Sequence, residues 1–387
     1  MNLKFHFIFL LGVISFQGYS QEIKSLENEK LLVIKQQIDA VQKNNTEKDE
    51  SYKFQLGRLY YDLFAEEFDW YGGNNYDKNQ AKEWFNTAIK YLEQSAEQNY
   101  WAAQDKLGEI YSNTPDYNGD PENYNDGEKA IYWYSKAIEH GKPESFYNLG
   151  LIYYSGNGGN ESVKDDEKAL IWIKKAAEAG YAPAQSDLGD IYYYGKIALE
   201  NDEKAFYWYN KANENGSRLS TLGEMYYHGR GTSQSYTKAY EMFKKAYDRY
   251  PPDDRTFNDA TACYYLGLMY YYGNYVEKDL RKAFLLIEQG AMIGNSKARG
   301  MLGYLHYYGD GTLIDKKLAF TWLKLGANSG INKQAQYLLG IMYFYGEANP
   351  VDKKSAAYWM KKAFENGSSD AKEFWDKNEM WKIESKI

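Results

Sequence analysis

Tyrosine is the side chain on which this chain's chemistry turns: there are 41 in 387 residues. A phenol ring joins a large apolar face to a hydroxyl and has little rotamer entropy to lose on binding. The aromatics recur in register. Four residues after a repeated glycine stand Tyr61, Ser112, Tyr154, Tyr193, Tyr227, Tyr271, Tyr307 and Phe344, and the next position adds Tyr194, His228, Tyr272, Tyr308 and Tyr345. A ladder of this kind suits a groove for an extended peptide, and stacked rings also suit sugars. Rings at this spacing can equally pack between neighbouring helices, and the sequence leaves both readings open.

Reactive groups are sparse beside it. His6, His140, His228 and His306 share no short spacing, so no zinc site is legible. There is no Gly-x-Ser-x-Gly elbow, no phosphate loop ending in Gly-Lys-Ser/Thr, and no dinucleotide fingerprint on a strand. Gly229-Arg230-Gly231 and the run Gly156 to Gly159 read as hairpin turns by register. The acidic run Asp116, Asp120, Glu122, Asp126 and Glu128 fails the calcium-loop pattern, with Pro121 where that loop needs glycine and Gly127 where it needs the bidentate glutamate. It reads as a solvated loop with Asp126 capping a helix. A carboxylate pair of the glycosidase type has no support in the spacing. No catalytic residue, cofactor or metal is assigned.

The elements that carry these side chains repeat. Leu-Gly returns at Leu56-Gly57, Leu107-Gly108, Leu149-Gly150, Leu188-Gly189, Leu222-Gly223, Leu266-Gly267, Leu302-Gly303 and Leu339-Gly340, with glycines 51, 42, 39, 34, 44, 36 and 37 residues apart. That is the length of one helical hairpin, a unit that buries its apolar face only by stacking on neighbours. Three residues after each glycine comes Tyr60, Tyr111, Tyr153, Tyr192, Tyr226, Tyr270, His306 or Tyr343, on the face of the leucine.

A second helix then carries Ala81/Trp84/Ala88, Ala130/Trp133/Ala137, Ala169/Trp172/Ala176, Ala205/Trp208/Ala212, Ala239/Met242/Ala246, Ala283/Leu286/Gly290, Ala319/Trp322/Gly326 or Ala356/Trp359/Ala363. The small residues permit close helix contact, and the large one is expected to fill the gap. Four residues before each first alanine stands a capping type: Asp77, Asp126, Asp165, Asn201, Ser235, Asp279, Asp315 or Asp352. The first two units lengthen their inner turns. One of these insertions, Phe68 to Gly73, is apolar, and suits either a partner contact or folding back over the first unit.

Taken together, Leu-Gly-x-x-Tyr-x-x-Gly, then Asp, then Lys-Ala-x-x-Trp-x-x-Lys-Ala-Ala-x-x-Gly, as in Leu149 to Gly180, resembles the Sel-one-like repeat, a relative of the tetratricopeptide repeat. The resemblance spans about residues 50 to 376. It implies an all-α, right-handed α-solenoid of about eight antiparallel helix-turn-helix repeats with N- and C-terminal capping helices, the first helices lining a concave face. The ladder Tyr154, Tyr193, Tyr194, Tyr227, Tyr271, Tyr272, Tyr307, Tyr308 and Phe344 would then face the concavity. Members of the family mostly act as adaptors that hold other proteins, often in bacterial envelopes. A cysteine-rich subgroup ties each repeat with a disulfide; this chain, with Cys263 alone, lies outside it.

Composition and ends complete the expectation. A net charge of -8 disfavours a phosphate-backbone binder, so nucleic acid is not an expected partner. Residues 1-20 read as a secretory signal: Lys4, an apolar stretch from Phe5 to Phe16, and small residues before a cut after Ser20; a buried N-terminal helix is the alternative. No segment reaches the roughly 18 apolar residues of a membrane span. No cysteine follows the cut to take a lipid, so the expected location is periplasmic or secreted. The expected division is 21-48 cap helix and linker, 49-376 repeat solenoid and 377-387 tail. The function these features point to is a non-catalytic protein-protein interaction scaffold of the bacterial envelope that holds a peptide or partner protein; the alternative is a glycan or peptidoglycan binder, and more remotely a cell-wall hydrolase.

Overall fold

A computed structural model describes residues 30–43, 49–67, 78–113, 126–156, 161–213, 218–249, 259–330 and 332–384. The signal, Phe68 to Gly73, Asp77 and the acidic residues Asp116, Asp120 and Glu122 lie outside them. All regular structure among the described residues is helical. The helices run α1 (30–43), α2 (Glu50–Glu67), α3 (Lys78–Ala96), α4 (Trp101–Asn113), α5 (Gly127–Ala137), α6 (Pro143–Ser155), α7 (Asp166–Glu178), α8 (Ala182–Tyr194), α9 (Asp202–Ala212) and α10 (Leu219–His228). They continue with α11 (Tyr236–Asp248), α12 (Ala260–Tyr272), α13 (Leu280–Ile293), α14 (Ser296–Tyr308), α15 (Lys316–Ala327), α16 (Lys333–Tyr345), α17 (Lys353–Glu365), α18 (Ser369–Lys377) and α19 (Trp381–Glu384).

Seven hairpins are closed by the same clasp. The N-cap residue of the second helix donates its backbone N–H to the carbonyl of the residue three after the Leu-Gly glycine: Asp126 to Tyr111, Asp165 to Tyr153, Asn201 to Tyr192, Ser235 to Tyr226, Asp279 to Tyr270, Asp315 to His306 and Asp352 to Tyr343, all at 2.8–2.9 Å. That carbonyl is one of those a helix leaves unpaired at its C-terminal end. The cap side chain meanwhile accepts from backbone N–H groups of the first helical turn in all seven. In five hairpins a lysine three residues beyond the cap also lies over the clasped tyrosine ring: Lys129, Lys168, Lys204, Lys238 and Lys282, at 4.1–5.2 Å.

The Leu-Gly glycine sets how near the two helices come. A Cβ built on seven of the eight would stand 2.5–2.8 Å from the opposing helix, closer than side chains approach, and one on Gly340 would stand 3.1 Å from Met360. The atoms it would meet belong to Leu92, Tyr134, Ile173, Tyr209, Phe243, Ile287, Leu323 and Met360. The tryptophan position therefore does not fill the gap. Trp172, Trp208, Trp322 and Trp359 are only half-buried, and the residue after each, about 100° further around the helix, meets the glycine instead.

The first hairpin corrects a second expectation. Gly57 meets Leu92, so the residues in register with Ala169/Trp172/Ala176 are Ala88/Tyr91/Ser95, seven places beyond Ala81/Trp84/Ala88. Asn99, at φ 63°, then takes the left-handed position that Gly180 holds in its own hairpin.

The described residues gather into two compact units that divide within α8, between Gln185 and Ser186. The first carries a large core cluster, with Leu56, Leu63, Phe64, Leu92, Leu107, Ile110, Tyr134 and Leu149 all buried. The second carries a chain of smaller clusters, each made by neighbouring helices: Tyr209 with Leu222 and Met225, Phe243 with Tyr265 and Met269, Ile287 with Leu302 and Leu305, and Leu323 with Leu339 and Met342. This is the core of a repeat array, in which each unit is stabilised by the next. Polar links run the same way: Gln104, Gln185, Arg299 and Gln336, each three residues before a Leu-Gly leucine, donate to carbonyls of Ala96, Ala177, Ala291 and Ala327 at 3.1–3.4 Å.

Gly303→Ala tests the close approach. Alanine in place of glycine normally stabilises a helix interior by about 1 kcal/mol. Here the added methyl would lie 2.6 Å from Leu323 Cγ and 2.7 Å from its backbone nitrogen, which no rotamer change relieves. Thermal denaturation should show a net loss of roughly 1–3 kcal/mol; an unchanged or higher Tm would contradict the contact.

Candidate partner-binding face

In the second unit the ladder separates into two rows with different surroundings. The first row, Tyr193, Tyr227, Tyr271, Tyr307 and Phe344, is held between hairpins. Each of its tyrosines engages the residue that follows the turn glycine of the next hairpin. The Arg230 guanidinium lies 4.1 Å from the centre of the Tyr193 ring. Asn274 Nδ2 donates to the Tyr227 hydroxyl at 3.3 Å, the Tyr271 hydroxyl donates to Asp310 Oδ2 at 2.7 Å, and the Tyr307 hydroxyl meets Glu347. Burial, then these carboxylates, push the Tyr271 and Tyr307 phenols well above the ordinary range. Lys316 and Lys353 sit 3.0 Å over the rings of Tyr307 and Phe344. Tyr227 is buried outright, 8% exposed.

The second row faces solvent. Tyr194, Tyr272, Tyr308 and Tyr345 are 63%, 60%, 49% and 61% exposed, and His228 stands in the same register. Each leans edge-on against its first-row neighbour, with ring centroids 4.8–5.1 Å apart. In the first unit Tyr154 is half-buried, Tyr61 lies under Lys106 at 4.5 Å, and the Ser112 hydroxyl donates to the Glu109 carbonyl.

The residue just after the Leu-Gly glycine adds two carboxylates to this region. Asp190 accepts from the Tyr209 hydroxyl and from Arg218, both at 2.7 Å, and Arg218 Nε donates to Ser186 Oγ at 2.5 Å. Glu224 Oε1 accepts from the Tyr265 hydroxyl at 2.7 Å and from Lys297 at 3.0 Å, and His228 Nε2 lies 3.1 Å from the same hydroxyl. Burial alone would raise the Glu224 pKa; the bond from Tyr265 and the bond and charge of Lys297 outweigh it and hold the carboxyl below its ordinary value. Burial lowers His228. Sequence reasoning assigned no role to Asp190, Arg218, Glu224 and Lys297. Their register was visible, but their partners lie 19 to 73 residues away in the sequence.

Other candidates resolve into structure. Cys263 is buried, its thiol pushed up to about 12 by that burial. His306 is buried edge-on to Phe284 at 5.4 Å. Among the described residues no three His, Cys, Asp or Glu side chains group as metal ligands, and no helix is long and apolar enough to cross a membrane.

Helix pairs closed by capped turns, each packed on the next, define an all-α repeat solenoid. The Sel1 repeat model matches residues 70–100, 101–142, 143–181, 182–217, 221–250, 260–295, 296–331 and 333–368. The chain belongs to the Sel1 repeat family. Proteins built from these repeats generally act as protein-interaction scaffolds. The chain is similar to c5321, a protective antigen of uropathogenic Escherichia coli with this repeat fold, at 28% identity and TM-score 0.61 over 86% of this chain and 65% of that one. It is also similar to a Sel1 repeat protein from Oxalobacter formigenes, at 27% identity and TM-score 0.56 over 90% and 93%. The chain thus spans just under two thirds of the E. coli antigen. No curated protein matches it.

Two measurements check this geometry. Tyr193→Ala, Tyr227→Ala and Tyr271→Ala combined should lower stability by at least about 3 kcal/mol, as loss of packed aromatics does. The combination Tyr194→Ala, Tyr272→Ala and Tyr308→Ala should stay within about 1.5 kcal/mol of the parent, as surface changes do. Equal losses would contradict the two-row assignment.

The second concerns acid. A carboxyl whose folded pKa is depressed contributes stability that is present above its unfolded pKa and lost as pH falls through the folded one. Glu224→Gln should therefore be less stable than the parent near neutral pH, and the difference should shrink once pH drops below the ordinary glutamate range of about 4.3. Urea denaturation across that range reads it; a constant difference would contradict the assignment.

Proposed function

We propose that the chain is an exported, non-catalytic scaffold of the bacterial envelope that holds a partner protein on its second-row rings. The observation that carries this reading is the row itself: Tyr194, Tyr272, Tyr308 and Tyr345 stay open to solvent at one position of four first helices, α8, α12, α14 and α16. A monomer gains nothing in its own core from such rings, whereas an interface gains apolar area and a hydrogen-bonding edge at low entropic cost. Family membership supports a protein as the ligand. The apolar stretch from Phe5 to Phe16 supports export, and the similar E. coli protein, a protective antigen, is in keeping with it.

The test is a crosslinked pull-down from envelope extract with the chain beginning at Gln21, beside a variant carrying Tyr194→Ser, Tyr272→Ser, Tyr308→Ser and Tyr345→Ser. The reading expects a protein captured by the parent and lost with the variant. The same proteins captured by both, or retention on peptidoglycan or polysaccharide with no protein captured, would overturn it.

A further inference from the structure

The second-row face changes character along the second unit. Where α8 and α10 form it, the position after the Leu-Gly glycine holds Asp190 and Glu224, each bonded to a cation of its own. Along α14 and α16 the same position holds Tyr304 and Ile341, and the surface turns aromatic. The Tyr304 and Tyr308 rings lie 4.6 Å apart on α14. Tyr337 and Tyr345 follow on α16, and Phe374 of α18 stands 6.3 Å from Tyr345. Met301 and Ile341, both half-buried, extend the apolar area one turn along α14 and α16.

Carboxylates border these rings. Asp310 and Glu347 act electrostatically on Tyr308, and Asp370 and Glu373 on Tyr337. Glu347 is bonded to Lys316 at 3.3 Å and Asp310 to the Tyr271 hydroxyl. Asp370 and Glu373 are exposed on α18, and their side chains share no ion pair or hydrogen bond with other described residues. Lys372 beside them lies over the Phe364 ring, at 5.9 Å. Ring faces are themselves negative, so open tyrosines beside uncompensated carboxylates make a seat for cations.

We propose that this end of the face binds a basic segment of a partner protein, with arginine or lysine side chains against Tyr308, Tyr337 and Tyr345 and their charges toward Asp370 and Glu373. This rests on the scaffold reading and names the chemistry of its partner. Neighbouring helices pack roughly 8–10 Å apart, so α14, α16 and α18 together present on the order of 20 Å. About six residues of extended chain cover that distance. A guanidinium, weakly hydrated and planar, stacks on a phenol while bonding a carboxylate, which favours arginine over lysine.

The experiment is fluorescence anisotropy of the full chain with a labelled peptide of alternating arginine and leucine, and with versions carrying glutamine or glutamate for arginine. The arginine peptide should bind at least about tenfold more tightly than the glutamine one, and added salt should weaken it. Asp370→Asn with Glu373→Gln, both on exposed positions, should weaken it about fivefold, while Asp166→Asn with Glu167→Gln on α7, which removes the same charge elsewhere, should not. Circular dichroism checks that both variants fold. No binding of the arginine peptide, equal binding of the glutamine peptide, or equal loss in the two charge variants would overturn the proposal. A partner captured in the pull-down whose contact lacks basic residues would overturn it while leaving the scaffold reading in place.

Discussion

Everything in these hairpins follows from a crossing with no room for a methyl group. Where the Leu-Gly glycine meets the second helix, the opposing residue lies so close that an added Cβ would crowd Leu92, Tyr134, Ile173 or their counterparts. Such a contact fixes separation and also rotation, because only one face of the first helix lacks side chains. Once rotation is fixed, the residue four places on points toward the next hairpin and the one after it, about 100° further round, points to solvent. Two adjacent tyrosines thereby take opposite roles.

The cap clasp works with that constraint. A capping side chain alone would start the second helix anywhere the turn allowed. The additional bond from its backbone N–H to the carbonyl of Tyr153, Tyr192 or their equivalents ties that start to one turn of the first helix. Short-range links such as Gln185 to the Ala177 carbonyl then join neighbouring hairpins. The first-row tyrosines add further links, reaching the turn of the following hairpin.

Much of this was legible because it is local. Leu-Gly spacing, the caps from Asp126 to Asp352 and the all-helical array are patterns within about 40 residues, and the structure bears them out. The register of α3 was not. Ala81/Trp84/Ala88 and Ala88/Tyr91/Ser95 lie seven residues apart, two helical turns, and so present the same face. Only the contact of Gly57 with Leu92 separates them. The roles of the two rows were likewise hidden, since whether Tyr271 or Tyr272 is open depends on Asp310, a hairpin away. The tryptophan was misplaced for a related reason: size suggests a gap-filler, but geometry selects the residue beside it.

The functional consequence is a surface separated from the core by one residue of helical rotation. Inner rings hold the hairpins together, and outer rings at the same repeat spacing face solvent, where substitutions leave the stack unaltered. Hydroxyl-radical footprinting of the folded chain, read by mass spectrometry, tests that division most directly. The account predicts rapid labelling of Tyr194, Tyr272, Tyr308 and Tyr345 and protection of Tyr193, Tyr227, Tyr271 and Tyr307. Equal labelling of adjacent rings, or the reverse order, would contradict it.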